Sequence, residues 1–144
     1  MPRRQKGNPS ITTLKRKLDD LWSKYIRLSE AHSDGRCSCV SCGASANWKD
    51  MDCGHFISRN HNGGRFLREN CHAQCKKCNR FREGNKAGYA VFLTKQYGPE
   101  IIDRLNQLQY QIRRFTVAEL QEQVVWTKNE LARLNNQTLY EGKQ

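Results

Sequence analysis

The sequence predicts an α+β protein: a small, metal-clamped two-strand module flanked by an N-terminal helix and by C-terminal helices. Three observations predict it. Two Cys-x-x-Cys pairs, Cys39–Cys42 and Cys75–Cys78, bracket a stretch of short, partly alternating runs. Apolar residues at helical spacing lie on both sides of that stretch. The bracketed segment, residues 39–79, is also too small to bury a self-sufficient core; below about 40 residues a metal or disulfides usually supply the deficit.

The 144 residues suit one domain with a helical appendage. We divide them into a basic arm over 1–12, a domain built around the cysteine module over 13–98, and a helical region over 99–144 that is a candidate dimer contact. The arm carries Arg3, Arg4 and Lys6, no acidic residue, and Pro2, Gly7 and Pro9. It reads as a flexible segment able to lie on phosphate. Across the chain, 25 Lys and Arg outweigh 14 acidic residues, giving a formal charge of +11. Such an excess predicts a polyanionic partner held by contacts that weaken steeply with salt. No apolar stretch approaches the ~20 residues of a membrane span, and the first residues lack a hydrophobic signal core, so a soluble, cytoplasmic protein is expected.

The elements follow in order. From Thr13 to His32, Leu14, Leu18, Leu21, Trp22, Tyr25 and Leu28 recur at three- and four-residue steps along one helical face, which should pack on the metal module. Trp48 to Ile57 and Arg65 to Leu67 read as two strands, joined by the turn signals of Asn60-His61-Asn62-Gly63-Gly64. After Cys78 the chain turns helical, breaks at Gly84-Asn85, runs from Lys86 to Tyr97, and stops at Gly98-Pro99. A further helix is expected over Glu100 to Arg113. Thr116 and Glu119 then fit a capping box that opens a last helix, with Leu120, Val124, Leu131 and Leu134 as its stripe.

Each Cys-x-x-Cys pair forms a knuckle whose two sulfurs can meet one ion at ~2.3 Å, and four thiolates close a tetrahedral zinc site with no open position. A closed site is structural. Thirty-two residues, 43–74, separate the knuckles, so zinc clamps the two ends of the intervening hairpin. Cys37 competes with Cys39 for the first position, but Cys39-x-x-Cys42-Gly43 has the knuckle spacing. Cys53 and Cys71 read as small buried hydrophobes. Seven cysteines in a reducing compartment favour metal over disulfides.

The hairpin ends its first strand at His55, offers Asn70 five residues before Cys75, and places Asn79 directly after Cys78. Over residues 37–85 this order resembles the HNH, or ββα-metal, endonucleases. The resemblance implies that His55 is the general base for a water attacking a phosphodiester, a task suited to an imidazole whose ordinary pKa is ~6.5. It implies that Asn70 holds the ring and that Asn79 binds a divalent ion, magnesium or manganese. Much of that superfamily carries an aspartate directly before the histidine, where this chain has Gly54. Strand alternation puts Asp52 on the same face as position 54, making it the candidate second ligand. His61 and His72 are further candidates for phosphate or metal. Arg59, Arg65 and Arg68 are placed to meet phosphates around the scissile bond, and Lys76, Lys77, Arg80, Arg82 and Lys86 surround the helix carrying Asn79.

A closer resemblance rests on Asp52-Cys-Gly-His-Phe-Ile-Ser-Arg59, on Asn70-x-His-x-Gln74-Cys-x-x-Cys-Asn79, and on Gly84-Asn85 leading to Tyr89 and Tyr97-Gly98. From about Leu14 to about Leu105 the chain is similar to the NinG/Rap family of bacteriophage recombination endonucleases. That likeness implies cleavage of branched DNA, including four-way Holliday junctions and flaps, in the host bacterial cytoplasm. Two symmetry-related cuts suit a homodimer, for which the helices after Glu100 are the candidate interface. Two other readings share the same residues: an HNH enzyme nicking or restricting linear duplex DNA, and a non-catalytic zinc protein that binds nucleic acid.

Overall fold

The computed structural model describes residues 7–141; Arg3, Arg4 and Lys6 of the basic arm lie outside the described residues. Helix α1 spans Ile11–Glu30. It starts two residues before the expected Thr13 because Ser10 caps it, its hydroxyl accepting from the Thr13 N–H at 3.1 Å. Leu14, Leu18, Trp22 and Ile26 form its buried stripe.

Strands β1 (Arg36–Ser38) and β2 (Ser45–Asn47) form an antiparallel hairpin with the first knuckle at its turn. Three-residue strands among cysteines, serines and glycine leave no periodic signature, and none was expected here. Strand β3 (Asp52–His55) lies within the expected first strand. Its partner does not lie at Arg65–Leu67. It is β4, Cys71–Gln74, antiparallel with His55 opposite Cys71, Gly54 opposite His72 and Cys53 opposite Ala73.

The segment between them coils instead of extending. Asn62–Arg65 is the short helix α2, and Arg68–Asn70 is a 3-10 turn. Asn62 holds the bend, accepting from Lys15 Nζ at 2.8 Å and donating to the Arg113 carbonyl at 2.9 Å. A hairpin turn would leave both partners unmet.

After the second knuckle a wide π-turn, Lys77–Phe81, carries Asn79. Glu83, Gly84 and Asn85 all take positive φ, of 50°, 81° and 40°, which breaks the helix where expected. Helix α3 (Lys86–Tyr97) and helix α4 (Ile101–Leu108) follow. The latter stops short of the expected Arg113 because Tyr110 and Ile112, 82% and 90% exposed, have nothing to pack against. Helix α5 covers Val117–Glu141. Its capping box is formed: the Glu119 N–H donates to Thr116 Oγ1 at 3.1 Å, and the Thr116 N–H to Glu119 Oε2 at 2.9 Å.

Two cores position the site. Leu14 and Leu18 of α1 pack with Leu120 and Val124 of α5. Tyr89 and Leu93 of α3 pack with Ile101 and Leu105 of α4 and with Phe56 and Ile57 beyond β3. Helices beyond residue 99 thus share cores with the segment 13–98. Trp22 and Ile26 carry α1 onto β4 at Cys71. Among the described residues no helix is long and apolar enough to cross a membrane.

Candidate metal centre and active-site cleft

The four knuckle cysteines meet as the spacing predicts. The sulfurs of Cys39, Cys42, Cys75 and Cys78 lie within 4.8 Å of one another. The backbone N–H of Ser41 points to Cys39 Sγ and that of Cys78 to Cys75 Sγ, each at 3.4 Å, while Asn85 Nδ2 donates to Cys78 Sγ at 3.3 Å. Such N–H groups stabilise thiolates, and thiolates are the ligands zinc takes. The donor set therefore fits a structural zinc ion. Cys37 is not one of the four whose sulfurs converge: its thiol is buried behind the cage with Met51 and Ala73, and burial pushes its pKa up.

A cleft of about 540 Å³ opens beside this cage. Asp52, His55, Asn79, Arg59 and Arg80 line it from the module, and Asp19, Trp22, Ser23 and Arg27 of α1 form its other wall. His55 Nε2 lies 3.0 Å from the Arg65 carbonyl. A carbonyl only accepts, so Nε2 carries the proton, and in the neutral ring Nδ1 keeps its lone pair. Burial disfavours charge on the ring, but the neighbouring Cys71 sulfur and the Arg65 carbonyl outweigh it and raise its pKa.

Asn70 does not hold the ring, as had been expected. It is fully buried, and its amide is committed to backbone: Oδ1 accepts from the Ile57 N–H at 2.8 Å, and Nδ2 donates to the Ile57 and Gly64 carbonyls, both at 2.9 Å. It shapes the loop that ends in the Arg65 carbonyl. Gly64 makes this approach possible, since a Cβ there would stand 2.7 Å from Asn70 Nδ2.

Arg65 is likewise not placed to meet phosphate. Its side chain is 14% exposed and grips Asp19 with two hydrogen bonds, Nε to Oδ1 at 2.9 Å among them. Arg68 faces away from the cleft, donating to the Cys71 carbonyl at 2.7 Å and to Glu30 at 3.1 Å. Both guanidiniums are engaged within the fold. Arg59 and Arg80 remain on the cleft, and Lys76, Lys77, Arg82 and Lys86 are exposed outside it.

Asp52 and Asn79 are brought together, with Asn79 Nδ2 donating to Asp52 Oδ2 at 3.0 Å. Arg80 also holds that carboxylate, through Nε at 2.8 Å and Nη2 at 2.9 Å. Burial would raise the Asp52 pKa, but the bonds from Arg80 and Asn79 outweigh it and hold it down. One carboxylate and one amide oxygen in an open cleft suit magnesium, which prefers few protein ligands and keeps several waters. Position 54 has no room for a side chain: a Cβ on Gly54 would lie 2.2 Å from Gln74 Oε1.

His61 and His72 are not part of the cleft. His61 precedes α2, where its carbonyl accepts from the Gly64 N–H at 3.1 Å. His72 is 2% exposed between the hydroxyls of Tyr89 and Tyr97, at 3.1 and 2.9 Å, and burial drives its pKa down to about 3. It is a neutral core residue on the far face of the hairpin.

Cys53 and Cys71 are more than buried hydrophobes. Their sulfurs and a ring nitrogen of His55 lie within 4.8 Å of one another. Burial would raise the Cys71 pKa, yet hydrogen bonds with Cys53 and His55 hold it at about 5, while Cys53 remains a thiol pushed well above its ordinary value. The wall from α1 was also missed. Asp19, beside the apolar stripe, looked like ordinary helix surface, and only the pairing with Arg65 reveals it.

The family model described as bacteriophage Lambda NinG protein matches residues 3–137, nearly the whole chain. No curated protein and no solved structure matches it. Coverage on this scale extends past the cysteine module to include α1, the cleft wall and most of α5, and the chain belongs to the bacteriophage Lambda NinG protein family.

Proposed function

We propose that this protein is a metal-dependent DNA endonuclease of the HNH, or ββα-metal, type, acting on branched recombination intermediates such as four-way junctions and flaps. One observation carries the reading. The His55 ring is oriented through Nε2 by the Arg65 carbonyl, in the same cleft as Asp52 and Asn79.

His55 Nδ1 takes a proton from water as the water attacks the phosphorus, and the Arg65 carbonyl stabilises the N–H of the resulting imidazolium. Asn70 keeps that carbonyl in place. Arg59 and Arg80 bind the phosphate oxygens flanking the scissile bond. Asp52 and Asn79 hold a magnesium or manganese ion, which when bound supplies charge stabilisation at the phosphate and the leaving 3′ oxygen. Lys76, Lys77, Arg82 and Lys86 extend the basic surface along which a DNA arm lies, without reading bases.

Preference for branched DNA rests on the family likeness and on the charge of +11, which favours recognition of shape and backbone. A dimer would supply the paired cuts. Val125 and Trp126, 58% and 45% exposed on α5, offer it an apolar face. The test is cleavage of labelled four-way, flap and linear DNA with magnesium, comparing wild type with His55→Ala. Cleavage of branched substrates by the wild type alone supports the reading, and equal activity in the variant removes His55 from the mechanism.

A further inference from the structure

We propose that Cys53, His55 and Cys71 form a second, thiolate-rich metal site that binds zinc and, when filled, withdraws His55 from use as a base. The register of the central hairpin builds it. His55 and Cys71 are directly paired across β3 and β4, and Cys53 lies two residues before His55 on the same face. The three ligand atoms lie within 4.8 Å of one another, the limit that the four-cysteine cage also meets. Zinc held at ~2.0–2.3 Å brings its ligands within roughly 3.5–3.8 Å of each other, a closure that small side-chain rotations supply.

The donors select a soft cation. Two sulfurs and an imidazole suit zinc and reject magnesium, which takes oxygen. Three protein ligands leave a fourth position, and Cys53 and His55 both border the cleft from which water or another ligand can fill it. Independent support comes from Trp22. Its indole Nε1 is the one buried side-chain polar atom among the described residues without a hydrogen-bond partner, and the ring packs against Cys71. An N–H beside a sulfur is what a metal-bound thiolate uses as its outer contact.

The existence of the site does not depend on the proposed reaction, whereas its effect on the base does. Zinc and the base role compete for one imidazole, so the filled site is a silent state.

The experiment is a zinc titration of the full-length, fully reduced protein, followed by elemental analysis and repeated with cobalt to read sulfur-to-metal charge transfer. Wild type is expected to bind two equivalents, and Cys53→Ser and His55→Gln one each, with the charge-transfer band of the second cobalt lost in Cys53→Ser. Cys53→Ser carries the test if a Cys71 variant fails to fold. A single equivalent in wild type, or two in every variant, overturns the site. Excess zinc at fixed magnesium is expected to slow wild-type cleavage at least tenfold and to spare Cys53→Ser. Equal inhibition of both overturns the silencing, and a protein inactive on DNA under all conditions leaves the stoichiometry to decide the site alone.

Discussion

Arg80 holds the Asp52 carboxylate with a two-pronged grip, Nε on Oδ2 at 2.8 Å and Nη2 on Oδ1 at 2.9 Å. The same oxygens would hold the divalent ion of the proposed mechanism. On that proposal Arg80, half in solvent, and a cation compete, and a phosphate group would resolve the contest by drawing the guanidinium away.

Arg80→Ala should accordingly bind manganese more tightly. With one partner half in solvent the pair is a weak competitor, so the gain in affinity is expected to be only a few-fold. Titration of the zinc-loaded variant, followed by manganese paramagnetic resonance, reads this without DNA. Unchanged or weaker binding would remove Asp52 from the ligand set.

His55 and Asn70 should separate chemistry from architecture. His55→Ala is expected to lose 10²–10⁴-fold in cleavage while melting near the wild-type temperature, because the ring borders an open cleft. Asn70→Ala strips three hydrogen bonds from a fully buried site and should cost ~2–4 kcal/mol in urea unfolding. Its activity should also fall, since the Arg65 carbonyl loses its support. With the His55 pKa raised, the wild-type rate should climb through neutrality, as the base is neutral only above its folded pKa.

Removal of zinc should unfold the module. A chelator is expected to abolish most of the far-ultraviolet dichroism of the 37–85 segment, with recovery on adding zinc and none on adding magnesium. Retention of full dichroism in Cys78→Ser would contradict a structural cage.

Acid stability should report His72. Its folded pKa of about 3 lies below the unfolded ~6.5, so between these values the unfolded chain binds the extra proton. Stability is thus complete above about pH 6.5 and declines as pH falls toward 3, with a slope of up to ~1.4 kcal/mol per pH unit. Urea midpoints across pH 4–7 measure it, and His72→Phe should flatten the curve in that window.

The parts legible in the sequence are those dictated by local chemistry. Knuckle spacing located the four cysteines whose sulfurs converge, and Thr116 with Glu119 located the start of the last helix. The second strand was misplaced because its residues, Cys-His-Ala-Gln, carry no β signature, whereas Arg65-Phe66-Leu67 looked more like a strand. The Asn-Gly-Gly run read as a hairpin turn, but bonds from Lys15 and to Arg113, far away in the chain, coil it. The roles of Arg65 and Arg68 failed for a similar reason: their partners, Asp19 and Glu30, sit on a helix that closes over the hairpin only in the finished fold. Position 54 carries no carboxylate because the side chain of Gln74 packs across the strand pair.

Helix α1 walls the cleft with Asp19, Trp22 and Arg27, and its other face is covered by Leu120 and Val124 of α5. During synthesis the wall emerges first, but its cover comes only some hundred residues later, within α5. A nascent chain on the ribosome therefore has the four cysteines and His55 before it has a settled cleft. That order leaves the cleft without its finished wall until the last helix has arrived.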